Sequence, residues 1–110
     1  MKTRTDRQLA ATASPVKTAK FEDLVFHDVG NSSIKGSFQQ ALIVFTNGYG
    51  ASVVIGEWTY GGEDGLYELA VLDKDCHILY DTPITKDVEG YLTRAMVTDY
   101  LRRISRLRSK

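Results

Sequence analysis

Carboxylates and aromatic rings are concentrated between residues 57 and 68, and these side chains are the ones best suited to chemistry. A pair of carboxylates can hydrolyse a glycosidic bond when a deep cleft raises the pKa of one of them. Because a chain of 110 residues builds only one small core, we expect no cleft of that depth. The sequence therefore predicts a solvated acidic loop, made by Glu57, Glu63, Asp64 and Glu68.

A second acidic group brackets a predicted hairpin further along the chain. Oxygen ligands at alternate positions are typical of a calcium loop, but the glycine and the distal glutamate of an EF-hand loop are missing here. Aspartate is also a common turn residue, because its side chain bonds to the backbone two residues on. We therefore expect no metal site at Asp73, Asp75 and Asp81.

Cys76, the only cysteine, is followed directly by His77. On a strand, consecutive side chains point to opposite faces, so this thiol and this imidazole cannot form a nucleophile–base pair. We interpret Cys76 as a structural cysteine. A single cysteine allows no intrachain disulfide, which favours a reducing compartment such as the cytoplasm.

Glycines could cradle a phosphate at Gly48, Gly50, Gly61, Gly62 and Gly65. No predicted helix opens after them and no Lys-Ser/Thr pair follows, so the phosphate-loop pattern fails. Turn geometry explains these glycines adequately. The sequence thus predicts no catalytic residue and no cofactor, and we expect a protein that is not an enzyme.

Rings in or beside the glycine-rich turns favour a protein-binding role. Tyrosine and tryptophan are the preferred anchors of protein interfaces, and such an interface needs no cleft and no cofactor. We therefore predict a contact surface formed by Trp58, Tyr60, Glu63, Asp64 and Tyr67.

Two alternative functions remain open at this point. The first is nucleic-acid binding, in which the basic N-terminal segment and the last helix grip phosphates; its candidate residues are Arg102, Arg103, Arg106 and Arg108. The second is a small-molecule site between the subunits of an oligomer.

The charge balance excludes two classes of protein. The chain has 14 basic and 14 acidic residues and a formal net charge of +0, which argues against a polybasic nucleic-acid coat and against a highly acidic nucleic-acid mimic. Basic residues lie at both ends and acidic residues in the middle, so one basic and one acidic pole are expected. The longest apolar run is Ala41–Phe45, far too short to span a membrane, and we predict no membrane partner.

The pattern of turns and apolar residues predicts an α+β fold: an antiparallel meander of four or five strands with a C-terminal helix packed on one face. Residues 1–19 are polar and small and predict a flexible arm, and residues 20–110 form a single domain. The predicted strands are Phe21–Val29, Gln40–Thr46, Ala51–Thr59, Leu66–Leu72 and His77–Asp81, with Thr82-Pro83 ending the sheet. The predicted helices are a short one at Lys86–Tyr91, capped by Thr85, and a final one at Arg94–Leu107, capped by Thr93.

The dipeptide Asn47-Gly48 is a strong hairpin signal, because both residues tolerate the positive φ of a type I′ turn. A loop of two residues and a loop of four residues assign the side chains of the two strands to the same faces of the sheet. Both place Leu42, Val44 and Thr46 beside Ala51, Val53 and Ile55, and Ala41, Ile43 and Phe45 beside Ser52, Val54 and Trp58. Both faces are then apolar while one helix covers a single face, so we expect a homo-oligomer, most simply a dimer. Closure of the second face by the arm and Phe21–Phe38 is the alternative.

Three segments between Asn47 and Thr93 carry a family resemblance: NGYGASVV, YGGEDGLYELAVLD and YDTPITKDVEGYLT. They resemble small proteins of unassigned function encoded by bacteriophages and prophages. The resemblance implies a viral protein that works in the host bacterial cytoplasm, where it binds and inhibits a host or antiviral-defence protein, for example of the CRISPR type. It implies no role for any individual residue.

Overall fold

Five antiparallel strands and one C-terminal helix form the structure, a computed structural model that describes residues 14–30, 38–79, 82–84 and 88–108. The strands lie in the sheet in chain order, β1-β2-β3-β4-β5. Their bounds are β1 His27–Val29, β2 Phe38–Val44, β3 Gly50–Gly56, β4 Tyr67–Leu72 and β5 Glu89–Leu92, and the helix α1 is Arg94–Ser105. This meander with a terminal helix confirms the predicted α+β class.

The loop of the β2–β3 hairpin has three residues, which lie between the hydrogen-bonded residues Phe45 and Tyr49. The sequence predicts a loop of two or four residues. Gly48 N–H donates to the Phe45 carbonyl (3.0 Å), and Phe45 N–H donates to the Tyr49 carbonyl (2.8 Å). Gly48 has φ +94°, as expected of a three-residue loop in which a turn is followed by a left-handed residue. The resulting register places Ala41 opposite Val53.

This register reverses the predicted assignment of the two faces of the sheet. A shift of one residue moves every side chain of a strand to the other face relative to its neighbour. The helix-side face therefore carries Ala41, Ile43, Phe45, Ala51, Val53, Tyr67, Leu69 and Val71. The opposite face, called the outer face below, carries Gln40, Leu42, Val44, Ser52, Val54, Glu68, Ala70 and Leu72. Gln40, Ser52 and Glu68 make the outer face partly polar, but Leu42, Val44, Val54, Ala70 and Leu72 keep it substantially apolar. The homo-oligomer stays a prediction.

Helix α1 covers the helix-side face with one apolar stripe. Val97, Leu101 and Ile104 are fully buried, at the spacings of three and four that place residues on one side of a helix. Thr93 caps its start as predicted, since its Oγ1 accepts from Met96 N–H at 3.2 Å. These residues pack against a core cluster from the sheet that includes Phe45, Ala51, Val53, Leu69 and Val71.

Asn47 connects the β2–β3 turn to the end of this helix. Its Nδ2 donates to the carbonyls of Ile104 and Leu107, each at 2.9 Å, and its Oδ1 accepts from Tyr49 N–H at 3.0 Å. The carbonyls in the last turn of a helix have no partner within the helix. Ile104 is in the last turn and Leu107 follows the helix, so one side chain bonds the C-terminal end of α1 and orients the turn at the same time.

Residues 14–19, which the sequence analysis assigns to the arm, contact the sheet. Val16 N–H donates to the Val44 carbonyl (3.0 Å), and Thr46 N–H donates to the Val16 carbonyl (2.9 Å). Ala19 is buried in the core cluster. Residues 1–13 lie outside the described residues, so the flexible arm and the division into arm and domain stay predictions.

Three local predictions differ from the structure. Phe21–Asp23 forms a 3₁₀ turn, and only His27–Val29 of the predicted first strand is a strand. In place of a helix over Lys86–Tyr91, the described part of that segment enters β5, because the edge of β4 offers hydrogen-bond partners that a short isolated helix lacks. In the described part of the predicted strand His77–Asp81, one bridge joins Leu72 to Ile78, and Tyr80 and Asp81 lie outside the described residues.

Replacing Gly48 with alanine tests the turn. Nothing lies within 4 Å of the added Cβ, so the cost comes only from the positive φ and should be about 1–2 kcal/mol of unfolding free energy. Gly48→Asn is the matched control, because asparagine tolerates this conformation better. Urea unfolding should rank wild type above Gly48→Asn and Gly48→Asn above Gly48→Ala; equal midpoints for all three would contradict the proposed turn.

Candidate functional site

The connection between β3 and β4 is a tightly hydrogen-bonded loop. Gly62 N–H donates to the Thr59 carbonyl (3.0 Å), and Leu66 N–H donates to the Gly61 carbonyl (2.9 Å). Gly61 and Gly65 have φ of +92° and +75°, which most other residues adopt only under strain. The glycines that failed as a phosphate loop thus serve to fold this connection back on itself.

The side chain of Thr59 closes the start of the loop. Its Oγ1 accepts from Gly56 N–H and donates to the Gly56 carbonyl, each at 2.9 Å. Gly62 fits against the same point, since a Cβ there would lie 1.8 Å from the Gly56 oxygen. Only glycine fits this contact without opening the loop.

Tyr60 connects the loop to β4 and β5. Its N–H donates to Glu68 Oε1 at 2.9 Å, and its carbonyl accepts from Tyr91 N–H at 3.1 Å. Gly90 lets the two segments approach, because a Cβ there would lie 2.4 Å from Tyr60 Cβ. The backbone of the loop is therefore held from both neighbouring strands.

Three rings project into solvent from this rigid backbone. Trp58 is 67% exposed, Tyr60 61% and Tyr91 59%. With exposed carboxylates they surround a shallow depression of about 220 Å³. The name loop surface is used below for Glu57, Trp58, Tyr60, Glu63, Asp64 and Tyr91.

Four of the five predicted contact residues come together on the loop surface, and Tyr67 does not. Tyr67 packs on the helix-side face, where its ring centroid lies 4.9 Å from that of Phe21 and 5.7 Å from that of Phe26. It belongs to a ring cluster that joins the N-terminal segment to the sheet. Its position on β4, an odd number of residues from Glu68 and Ala70, explains the difference.

Tyr91 is the residue of the loop surface that sequence reasoning missed. Its φ of +58° is uncommon for a bulky residue, and such strain is often found at functional sites. The preceding Gly90 was the available signal, since glycine in a strand often marks a close backbone approach. The predicted helix over Lys86–Tyr91 obscured it.

The loop surface is uniformly acidic in its charged groups. From Glu57 to Glu68 the chain carries four carboxylates and neither lysine nor arginine. Glu57, Glu63 and Asp64 are exposed, and Glu68 is half-buried. The surface therefore presents rings within a negative field.

The four predicted arginines lie elsewhere. Arg102, Arg103, Arg106 and Arg108 are all exposed at the C-terminal end of α1. Arg103 lies over the Tyr100 ring at 5.2 Å, with its Nη1 3.7 Å from Asp99 Oδ2. Because α1 packs on the helix-side face and Trp58 lines a groove on the outer face, the two sets do not form one surface.

The groove on the outer face has a volume of about 330 Å³. Among the residues lining it, Gln40 is only 7% exposed, and its Nε2 donates to Ser52 Oγ at 2.7 Å. Its Oε1 is buried without a hydrogen-bond partner. Trp58 and Thr59 line both this groove and the depression of the loop surface, so the two are neighbours.

The acidic turn at Asp73 has the structural role that was expected. Asp73 Oδ1 accepts from Asp75 N–H (2.8 Å) and His77 N–H (2.9 Å). Within the described ranges, no group of three or more His, Cys, Asp or Glu side chains is arranged to hold a metal ion. None of the helical segments described has the length and apolar character that crossing a bilayer requires.

No protein-family model, curated protein or solved structure matches this chain.

The hydroxyl of Thr59 should control the rigidity of the loop. Thr59→Val keeps the shape and removes both hydrogen bonds to Gly56, so the free energy of local opening should fall by about 1–3 kcal/mol. Amide hydrogen exchange at Gly62 and Leu66 should then be faster, whereas Thr59→Ser should resemble wild type. Unchanged exchange in Thr59→Val would show that the hydroxyl does not hold the loop.

Proposed function

We propose that this protein is a non-catalytic protein-binding module that contacts a basic region of its partner through the loop surface. The observation that carries the proposal is the exposure of Trp58, Tyr60 and Tyr91 together on a backbone held by hydrogen bonds from both sides. Exposed rings in one place are unusual, because aromatic side chains gain much by burial.

The rings supply the affinity. Tryptophan and tyrosine dominate the energetics of protein interfaces, and a hot-spot residue typically costs about 2 kcal/mol or more when it is truncated to alanine. Neighbouring contacts then exclude water from the hot spot. Trp58 and Tyr60 are the rings of the predicted surface that meet this description.

The fixed backbone lowers the cost of binding. Ordering a loop on association consumes part of the interaction free energy. Here the bonds of Thr59 to Gly56 and of Tyr60 to Glu68 already order the loop. A smaller part of the contact free energy is therefore spent on ordering the loop, and the affinity is higher than for a flexible loop.

The carboxylates indicate the charge of the partner. Glu57, Glu63 and Asp64 surround the rings, and complementary charge speeds association and rejects wrong partners. A basic surface on the partner fits this arrangement.

The resemblance to small proteins of phages and prophages extends the proposal. We infer a partner in the bacterial host cytoplasm, a host or antiviral-defence protein whose activity the binding inhibits. This part rests on the resemblance and not on the geometry.

Affinity purification from the host tests the proposal with the variants Trp58→Ala, Tyr60→Ala, Glu63→Lys and Asp64→Lys. For the partner that wild type captures, each ring variant should weaken binding about 30-fold, the equivalent of 2 kcal/mol. The charge reversals should mainly slow association, with an effect that shrinks at high salt.

Arg102→Ala and Arg106→Ala are the controls, since both residues are exposed and lie on α1, away from the loop surface. They should bind the partner as wild type does. Retention of full affinity by all four loop variants, with folding intact by circular dichroism, would contradict the proposal.

The four exposed arginines support nucleic-acid binding as a second candidate. If each contacts one phosphate, the plot of log affinity against log salt should have a slope near −3.6, from about −0.9 per contact on duplex DNA. Arg102→Ala should then make the slope less steep by about 0.9, the contribution of one phosphate contact. Fluorescence anisotropy with labelled single and double strands measures this, and the absence of binding to either removes the candidate.

A further inference from the structure

The outer-face groove has apolar walls and a polar floor. Phe38, Val54, Ala70, Ile78, Val88 and Trp58 supply the apolar lining, and Gln40, Ser52, Thr59 and Glu68 supply the polar groups. Cross-strand pairing explains the floor, because Gln40 and Glu68 each lie opposite Val54, on the two sides of β3. An amide and a carboxylate from separate strands are thereby brought to one face.

Two side chains of the groove, Gln40 and Glu68, offer acceptor positions to a ligand. Gln40 Nε2 is already used by Ser52 Oγ, while Gln40 Oε1 has no partner. Glu68 Oε1 accepts from Tyr60 N–H, and a carboxylate has further acceptor positions. The Thr59 hydroxyl is used twice by Gly56. The Ser52 hydroxyl and the Trp58 indole N–H can still donate, but Gln40 Oε1 and the Glu68 carboxylate are acceptors that a ligand rich in donors would fill.

A buried amide oxygen without a hydrogen-bond partner destabilises the folded protein. The Gln40 side chain therefore indicates a place where a donor from a ligand could bind. Leaving a buried acceptor without a partner costs about 1–3 kcal/mol, and Gln40 is 7% exposed. The last torsion of a glutamine side chain is soft, so the amide can turn its oxygen toward a donor in the groove. Occupation of the groove would then remove the penalty.

The charge of the groove favours a positively charged hydrogen-bond donor. The described residues that line it include Glu68 but neither lysine, arginine nor histidine. The indole of Trp58 adds a surface that attracts cations. A planar guanidinium on an apolar stem matches a stacking ring, a carboxylate and an amide oxygen at once.

We propose that the outer-face groove receives an arginine side chain of the protein that the loop surface contacts; this rests on the proposed function. The stem lies along the apolar walls, and the guanidinium lies against Trp58 and donates to Gln40 Oε1 and the Glu68 carboxylate. Trp58 borders both the groove and the loop surface, so one partner reaches both.

The first experiment needs no partner and uses n-butylguanidinium as the probe. Trp58 is the only tryptophan, so its fluorescence reports binding at the groove or at the adjoining loop surface. The side-chain amide signals of Gln40 in ¹⁵N–¹H spectra then show whether the probe occupies the groove. We expect saturable binding with a dissociation constant on the order of millimolar, as befits so small a ligand. Neutral n-butylurea, which has nearly the same shape and also donates N–H bonds, should bind at least fivefold more weakly.

The variants Gln40→Met and Glu68→Gln should each weaken n-butylguanidinium at least fivefold. Gln40→Met removes the unpaired oxygen and keeps the length of the side chain, and Glu68→Gln keeps an acceptor for Tyr60 N–H, so both are expected to fold. Arg102→Ala, an exposed position on α1, is the control and should leave binding of the probe unchanged. Equal binding of urea and guanidinium, no saturable binding, or full binding by both groove variants would each overturn the proposal.

The second experiment measures the affinity of the captured partner for Gln40→Met. A loss of at least tenfold supports the arginine contact. If Gln40→Met binds the partner as wild type does while Trp58→Ala and Tyr60→Ala do not, the arginine proposal fails and the proposed function stands. If the loop variants also bind fully, the proposed function fails as well, and any binding of n-butylguanidinium then reports a groove unrelated to it.

Discussion

The three-residue turn after β2 is the constraint on which the rest of the structure depends. The left-handed backbone of Gly48 sets the register of β2 against β3, and every side chain of the sheet takes its face from that register. Under this register the apolar residues of β3 and β4 lie beneath α1, and Gln40 and Glu68 lie on the other side. Asn47, in the same turn, donates to the carbonyls of Ile104, in the last turn of the helix, and Leu107, just beyond it, so turn, sheet and helix are positioned together.

In the loop after β3, too, a few residues have more than one structural role. Glycines at positions with positive φ and one threonine hydroxyl fold the chain back, and Glu68 joins the loop to the sheet through Tyr60 N–H. The same Glu68 lines the groove on the outer face. A carboxylate that shapes the loop surface thus also supplies the charge of the groove. Trp58 borders both, so contact with one region alters the surroundings of the other.

The carboxylates of the loop surface and the arginines of α1 lie in different parts of the structure. Acidic residues surround the rings after β3, and the arginines occupy the end of α1 on the helix-side face. Arginines there interact favourably with the negative end of the helix dipole, and Arg103 also contacts Asp99 and Tyr100. For Arg103 these local contacts explain the position of the side chain without a ligand. No comparable local contact explains three exposed rings, which is why the loop surface carries the proposed function.

Local sequence determined the antiparallel succession of β1 to β4, the final helix with its Thr93 cap, and the turn role of Asp73, because each depends on residues within a few positions of one another. It also brought Trp58, Tyr60, Glu63 and Asp64 together correctly, since they share one loop. It did not determine β5, which lies where a helix was predicted. Local sequence did not determine the register of the β2–β3 hairpin, because Asn47-Gly48 is compatible with loops of different length, which place the side chains on different faces. Tertiary structure alone decided that Tyr67 lies against Phe21, that Tyr91 joins the loop surface and that Gln40 and Glu68 line one groove from the two sides of β3. Those placements depend on pairing between strands distant in sequence, where a change of one residue exchanges the faces.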